Sequence, residues 1–212
     1  MMNAMNAHLE ILPADTGRTV SLLTKCSLLS QFYLAGGTAV ALHLGHRLSA
    51  DLDFFSTLEF DESILIQKLS SLGTFHVEKK AEQTVIGILE NTKLSFIGYK
   101  YPLLKVLKTV MGVQVADIRD IACMKIDTIA SRGAKRDFID LYFIVQEAMP
   151  LPDILKCFKQ KYASIHYNMM HIKKSLVYFV DAESEPLPHM IKQVHWGEVK
   201  AFFQEQVAKL PG

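Results

Sequence analysis

The sequence offers little that would mark a specialised chain. Its 212 residues include one Trp, three Cys, seven Pro and eleven Gly, and no uninterrupted apolar run reaches the ~18 residues that a membrane-spanning helix needs. Cys26, Cys123 and Cys157 lie far apart inside apolar helical patterns, so buried free thiols are expected rather than a disulfide frame or a paired-cysteine metal site. Charge of one sign is lacking as well. The 23 basic and 22 acidic residues leave a formal net charge of +1, too little for a general pull towards nucleic acid or an anionic membrane. The opening MMNAMNAHLEILPADTG has no basic start followed by an apolar stretch, so no secretory leader is expected, and the chain reads as cytoplasmic with no membrane partner. The eight histidines form no cluster with ligand spacing.

What is present is the composition of a globular chain, 50% hydrophobic and 21% charged. Asp15 or Thr16 can cap a helix over 16–30, FYLAGG (32–37) reads as a short buried strand ending in a glycine turn, and TAVALHLGHRL follows with helical spacing at Val40, Leu44 and Leu48. DLDFF (51–55) alternates carboxylate and apolar residues with the period of a strand, and 62–72 is helix-like. Three strand-like runs, FHVEKK, TVIGILE and KLSFIGYK, predict an antiparallel meander between 75 and 100. Helices follow over 117–131 and 137–148, split by SRGAKR, and the pattern beyond Pro150 is helical with a break at DAESEPLP. The expected fold is α/β (α+β): a mixed sheet flanked by helices over 1–148, with a helical extension over 149–212.

Two features carry chemistry. In a strand, residues two apart project to the same face with backbones ~6.5–7 Å apart, so Asp51 and Asp53 stand together, either as a solvated edge or as a pair for a cation. Magnesium suits such a pair, since it takes one or two carboxylates and completes its shell with water and phosphate oxygens. Gly36 and Gly37 strip side chains from the strand-to-helix turn, which can expose backbone N–H groups to an anion, and Thr38 adds a hydroxyl that can cap the helix or meet a phosphate. Further on, Lys125 falls in one helical stripe with Ile118, Ala122 and Ile129, so its ammonium either snorkels from the edge or reaches into a cleft. Asp137 and Asp140 share a face at the start of the next helix, where they would stabilise the helix end or serve a site. Lys135 and Arg136 either form a solvated turn or steer phosphate.

GGTAVALHLGHRLSADLDFF, followed by DIRDIACMKIDTIASRGAKRDFIDLYFIV (117–145), resembles the signature of the nucleotidyltransferase superfamily, and most closely the bacterial AbiEii/AbiGii-type nucleotidyltransferase toxin family. The resemblance implies Mg²⁺-dependent (or Mn²⁺-dependent) transfer from a nucleoside triphosphate, with Asp51 and Asp53 on the metal and Asp51, Asp53, Lys125 and Asp137 catalytic. Gly36, Gly37, Thr38, Lys125, Lys135, Arg136 and Asp140 would contact the nucleotide. It implies RNA, tRNA in particular, as acceptor, and a cognate antitoxin as partner. Many nucleotidyltransferases place a third carboxylate on a later strand; here KLSFIGYK offers Ser95 instead. A nucleotide-binding module without turnover, or a transferase with a small-molecule acceptor, are the competing expectations.

Overall fold

The computed structural model describes residues 7–25 and 27–211, so Cys26 lies outside the described residues. Helix α1 (Ala14–Thr24) starts directly after Pro13 and ends earlier than expected, because a 3₁₀ turn over Ser27–Gln31 takes the rest of that segment. Then come β1 (Tyr33–Ala35), α2 (Gly36–Leu44), β2 (Leu52–Ser56), α3 (Glu62–Ser70), β3 (Phe75–Ala81), β4 (Thr84–Leu89) and β5 (Thr92–Gly98). A hairpin of β6 (Lys108–Val110) and β7 (Val113–Val115) leads to α4 (Ile118–Arg132) and α5 (Lys135–Glu147), and α6 (Leu151–Lys161), α7 (Met169–Ser175), α8 (Val180–Glu183) and α9 (Trp196–Ala208) complete the chain.

The strands form one sheet in the order β3-β4-β5-β2-β1-β7-β6. The β2–β5 and β1–β7 pairs are parallel and the others antiparallel, so the sheet is mixed and the β3–β4–β5 meander stands as expected. The β6–β7 hairpin was not legible beforehand: its arms are three residues each, and its turn relies on positive φ at Met111 (49°) and Gly112 (79°).

Helix ends follow local chemistry. Gly45 adopts the left-handed conformation (φ 63°, ψ 23°) and stops α2 at Leu44, so the helix expected to continue to Leu48 instead releases His46 and Arg47 into a turn. Asp117 caps α4 through the Arg119 amide, and Gly133 closes it. Because α5 begins at Lys135, Asp137 sits inside its first turn.

The two faces of the meander differ. Leu52, Phe54, Val85, Leu89, Leu94 and Phe96 are buried on one side, with Phe54 and Phe96 stacked at 5.1 Å, where each such side chain contributes ~1.5–3 kcal/mol. On the other side Phe55, Ile86, Ile88 and Ile97 are only half-buried, alongside Asp51 and Asp53. Helices α6 and α7 pack on α4, and α8 and α9 on α5, with Phe138 meeting Trp196 and Phe203 edge-on. Helix α5 ends at Glu147 and α6 begins at Leu151, and one apolar core runs through the segments on either side of that turn. Cys123 is buried and Cys157 half-buried; both are free thiols. Among the described residues no helix is long and apolar enough to cross a membrane.

Candidate nucleotide site

After Ala35 the chain turns at Gly36 (φ +69°) straight into α2, and a Cβ on Gly36 would lie 2.5 Å from Asp53 Oδ2. Glycine is therefore required twice, by the left-handed backbone and by the carboxylate pressed against it. The sheet register sets Ala35 beside Asp53 on one flank and Ser95 on the other. Burial raises the affinity of Asp53 for a proton; the Ser95 hydroxyl, which donates to it, and the nearby Lys125 work in the opposite direction. Asp51 is about half exposed, and Arg136 Nη1 lies 4.0 Å from its Oδ2.

A half-buried carboxylate with a second one two residues before it is a donor pair that fits a divalent cation shared with substrate phosphates. No cluster of three or more His, Cys, Asp or Glu able to hold a metal occurs among the described residues, so the pair does not resemble a closed resident metal site.

Behind this pair lies a buried ion network. Lys125 Nζ donates to Asp137 Oδ1 at 2.7 Å and to Asp140 Oδ2 at 2.6 Å, with all three side chains buried. Arg132 closes the outer side of Asp137 through Nη2 at 3.0 Å. Asp140 also receives Arg47 through Nε (2.7 Å) and Nη2 (3.0 Å), and His46 Nε2 at 2.8 Å. A Cβ at Gly37 would overlap Arg47 Nη2. Burial would lower the Lys125 pKa, yet Asp140 and Asp137 outweigh it and hold the ammonium charged. Burial would likewise raise Asp140, but Lys125 and Arg47 hold its carboxyl well below the usual carboxylate range.

The structure thus presses Asp53 against Gly36 and sets Arg136 at 4.0 Å from Asp51, with Lys125 near enough to act electrostatically on Asp53. Four expected contacts sit elsewhere. The Thr38 hydroxyl bonds Ser49 Oγ (2.7 Å) and the Asp51 carbonyl, so it ties α2 to the chain entering β2 instead of facing an anion. Lys135 is buried towards the C-terminal segment, where its ammonium meets the carbonyls of Glu183 and Glu185 and lies 5.2 Å from the Trp196 ring. Asp140 is fully buried, with its carboxylate paired to Lys125 and Arg47. Asp137, expected as a catalytic carboxylate, has one oxygen on Lys125 and the other on Arg132. The residues missed beforehand are Arg47, His46 and Arg132. Nothing local to HR (46–47) signals a partner 93 positions away.

His46 sets a pH dependence. Its bond to Asp140, an acceptor, requires the proton on Nε2, and Nδ1 has no partner among the described residues. A charged ring would strand a buried N–H, and burial accordingly lowers the His46 pKa from 6.5; His43 is lowered likewise. Below pH 6.5 the unfolded chain gains protons that the folded chain refuses, so stability falls as pH drops from 6.5 towards the folded values. Asp53, raised by burial, works in the opposite direction, so the comparison is best made in Asp53→Asn. There the urea midpoint should drop between pH 7 and 5.5, and the drop should shrink in added His43→Gln and His46→Gln. An unchanged slope would contradict it.

A mixed sheet carrying a glycine turn, a helix and then Asp-X-Asp on the neighbouring strand defines a nucleotidyltransferase. The fold is shared with two solved structures: MenT4, a nucleotidyltransferase toxin from Mycobacterium tuberculosis H37Rv (TM-score 0.58, 15% identity, 92% of this chain and 83% of that one), and JHP933 from Helicobacter pylori (TM-score 0.52, 17% identity, 93% and 92%). An uncharacterized protein of Aquifex aeolicus (strain VF5) is 39% identical over 183 residues, covering 84% of this chain and 87% of its own. The family model for the nucleotidyl transferase AbiEii toxin, type IV toxin–antitoxin system, matches residues 21–110 and 104–209. This chain belongs to the AbiEii nucleotidyltransferase toxin family.

Proposed function

We propose that this chain transfers a nucleotide from a nucleoside triphosphate to a hydroxyl of RNA, tRNA in particular, and acts in the cytoplasm as the toxin of a pair whose antitoxin restrains it. The observation that carries the site reading is the half-buried Asp53 carboxylate pressed against Gly36, with Asp51 two residues before it and Arg136 facing Asp51. Asp51 and Asp53 would hold Mg²⁺ or Mn²⁺, which when bound neutralises phosphate charge and polarises the reacting phosphoryl group. Gly36 and Gly37 remain partly exposed, leaving the start of α2 open to phosphate oxygens. Arg136 adds charge from the rim. Lys125 supplies fixed positive charge from behind Asp53, and Asp137 fixes its position. Attack of the acceptor oxygen on the α-phosphorus breaks the α–β phosphoanhydride bond. Pyrophosphate leaves with the bonding pair, and the acceptor proton passes to solvent, as a loose transition state asks little of a base.

The toxin role is supported by the family match, and the RNA acceptor by the motif resemblance. Incubating the protein with each α-labelled nucleoside triphosphate, Mg²⁺ or Mn²⁺ and total RNA tests the reaction. Label should enter RNA with the wild type only, and not with Asp53→Asn. Absence of RNA labelling with all four nucleotides would overturn the RNA acceptor.

A further inference from the structure

Lys93 takes no part in the chemistry above, yet it stands beside it. It lies on β5 two residues before Ser95, and therefore on the same sheet face as Ser95 and Asp53; carrying the Leu52↔Leu94 register back by one residue sets it next to Asp51. Both Asp51 and Asp53 attract its half-exposed ammonium. A single ion pair draws it the other way, across Ile88 of β4 to Glu78 Oε2 at 3.0 Å. Glu78 is the residue between Val77 and Lys79 where the β3–β4 register shifts, an irregularity that re-aims a side chain. The Glu78 and Lys93 side chains are 42% and 47% exposed, so their pair is weak and easily exchanged for a stronger anion. Lys125 and Arg47, by contrast, are locked by buried carboxylates.

Asp53 and Ser95 face each other where a third carboxylate would complete a two-cation site, and two carboxylates alone suit one divalent ion. We propose that Lys93 is the mobile cation of the nucleotide site: it leaves Glu78 when a nucleoside triphosphate binds, reaches over Ser95 and neutralises the phosphates in place of a second metal ion. A lysine stem spans about the distance between residues two apart in a strand. The charge is needed where pyrophosphate leaves with the electrons of the broken α–β bond. The inference rests on the nucleotide-site reading given above.

Equilibrium titration of the full chain with an α,β-methylene nucleoside triphosphate in Mg²⁺ tests it without turnover. Lys93→Met should bind the analogue ~10–100-fold more weakly, the cost of one charge-assisted contact. Glu78→Gln, which frees Lys93, should bind it at least as tightly as the wild type. Ser95→Asp added to Lys93→Met should restore binding and raise the number of Mg²⁺ ions taken up with the analogue from one to two. Unchanged affinity in Lys93→Met, weaker binding in Glu78→Gln, or no rescue by Ser95→Asp would overturn the role of Lys93 while the nucleotide site stands. A wild-type chain that binds no analogue in Mg²⁺ would overturn the site and Lys93 with it.

Discussion

Asp53→Asn is expected to abolish nucleotidyl transfer, by ~10³-fold or more, while leaving the metal-free protein as stable as the wild type or more so. A preorganised charge aimed at a reacting phosphate is commonly worth ~10²–10³ in rate alone, and Asp53 is also expected to hold the cation. Its folded pKa lies above the ordinary carboxylate value because burial penalises the charged form. At neutral pH that charge works against folding, and a neutral amide of the same shape removes the penalty while still accepting from Ser95. Labelled transfer and thermal melting of the same preparation check both halves. A variant that loses activity together with several degrees of melting temperature would show Asp53 to be part of the scaffold.

Asp140→Ala should behave in the reverse manner, losing the fold before it loses any contact with a nucleotide. Removing this carboxylate strands Arg47 and Lys125 in the interior and leaves the His46 Nε2–H without its acceptor. Breaking a buried ion network in this way costs ~3–5 kcal/mol. For a domain of this size that corresponds to a melting temperature lower by about 6–20 °C. Because the cost is that of uncompensated charge, Asp140→Ala combined with Arg47→Met should be less destabilising than the two single changes summed. Urea denaturation of the four proteins measures the coupling; strict additivity, or a single-variant cost below ~1 kcal/mol, would show the network to be dispensable.

Much of this was open to inspection in the chain itself. The period of DLDFF marks a strand that holds Asp53, although β2 begins only at Leu52 and leaves Asp51 just ahead of it, and the strand, turn and helix before it are legible in kind. That Ser95 pairs with Asp53 across β2 and β5 is a matter of register that the sequence does not show. What the sequence leaves open concerns direction and distance. Lys125 fits neither a snorkelling nor a cleft-facing lysine, because the deciding partners come from the next helix. Lys135 and Arg136 are adjacent, yet one turns into the C-terminal segment and the other to Asp51; helical neighbours point ~100° apart, and only packing chooses which faces the site. The Thr38 hydroxyl bonds the Asp51 carbonyl, a partner that only the fold brings close. Three-residue strands such as β6 and β7 carry too little alternation to register.

Gly37 is held as glycine by a neighbour and not by its own backbone. Its backbone does not require glycine through a positive φ; what excludes a side chain is the guanidinium of Arg47 beneath. The second glycine of the signature is therefore coupled to an arginine ten positions later and not to the ligand alone. Across descendants of this chain, serine at 37 becomes accessible once position 47 shortens, whereas an arginine arising at 47 would select for glycine. The two positions should change together, and in that order.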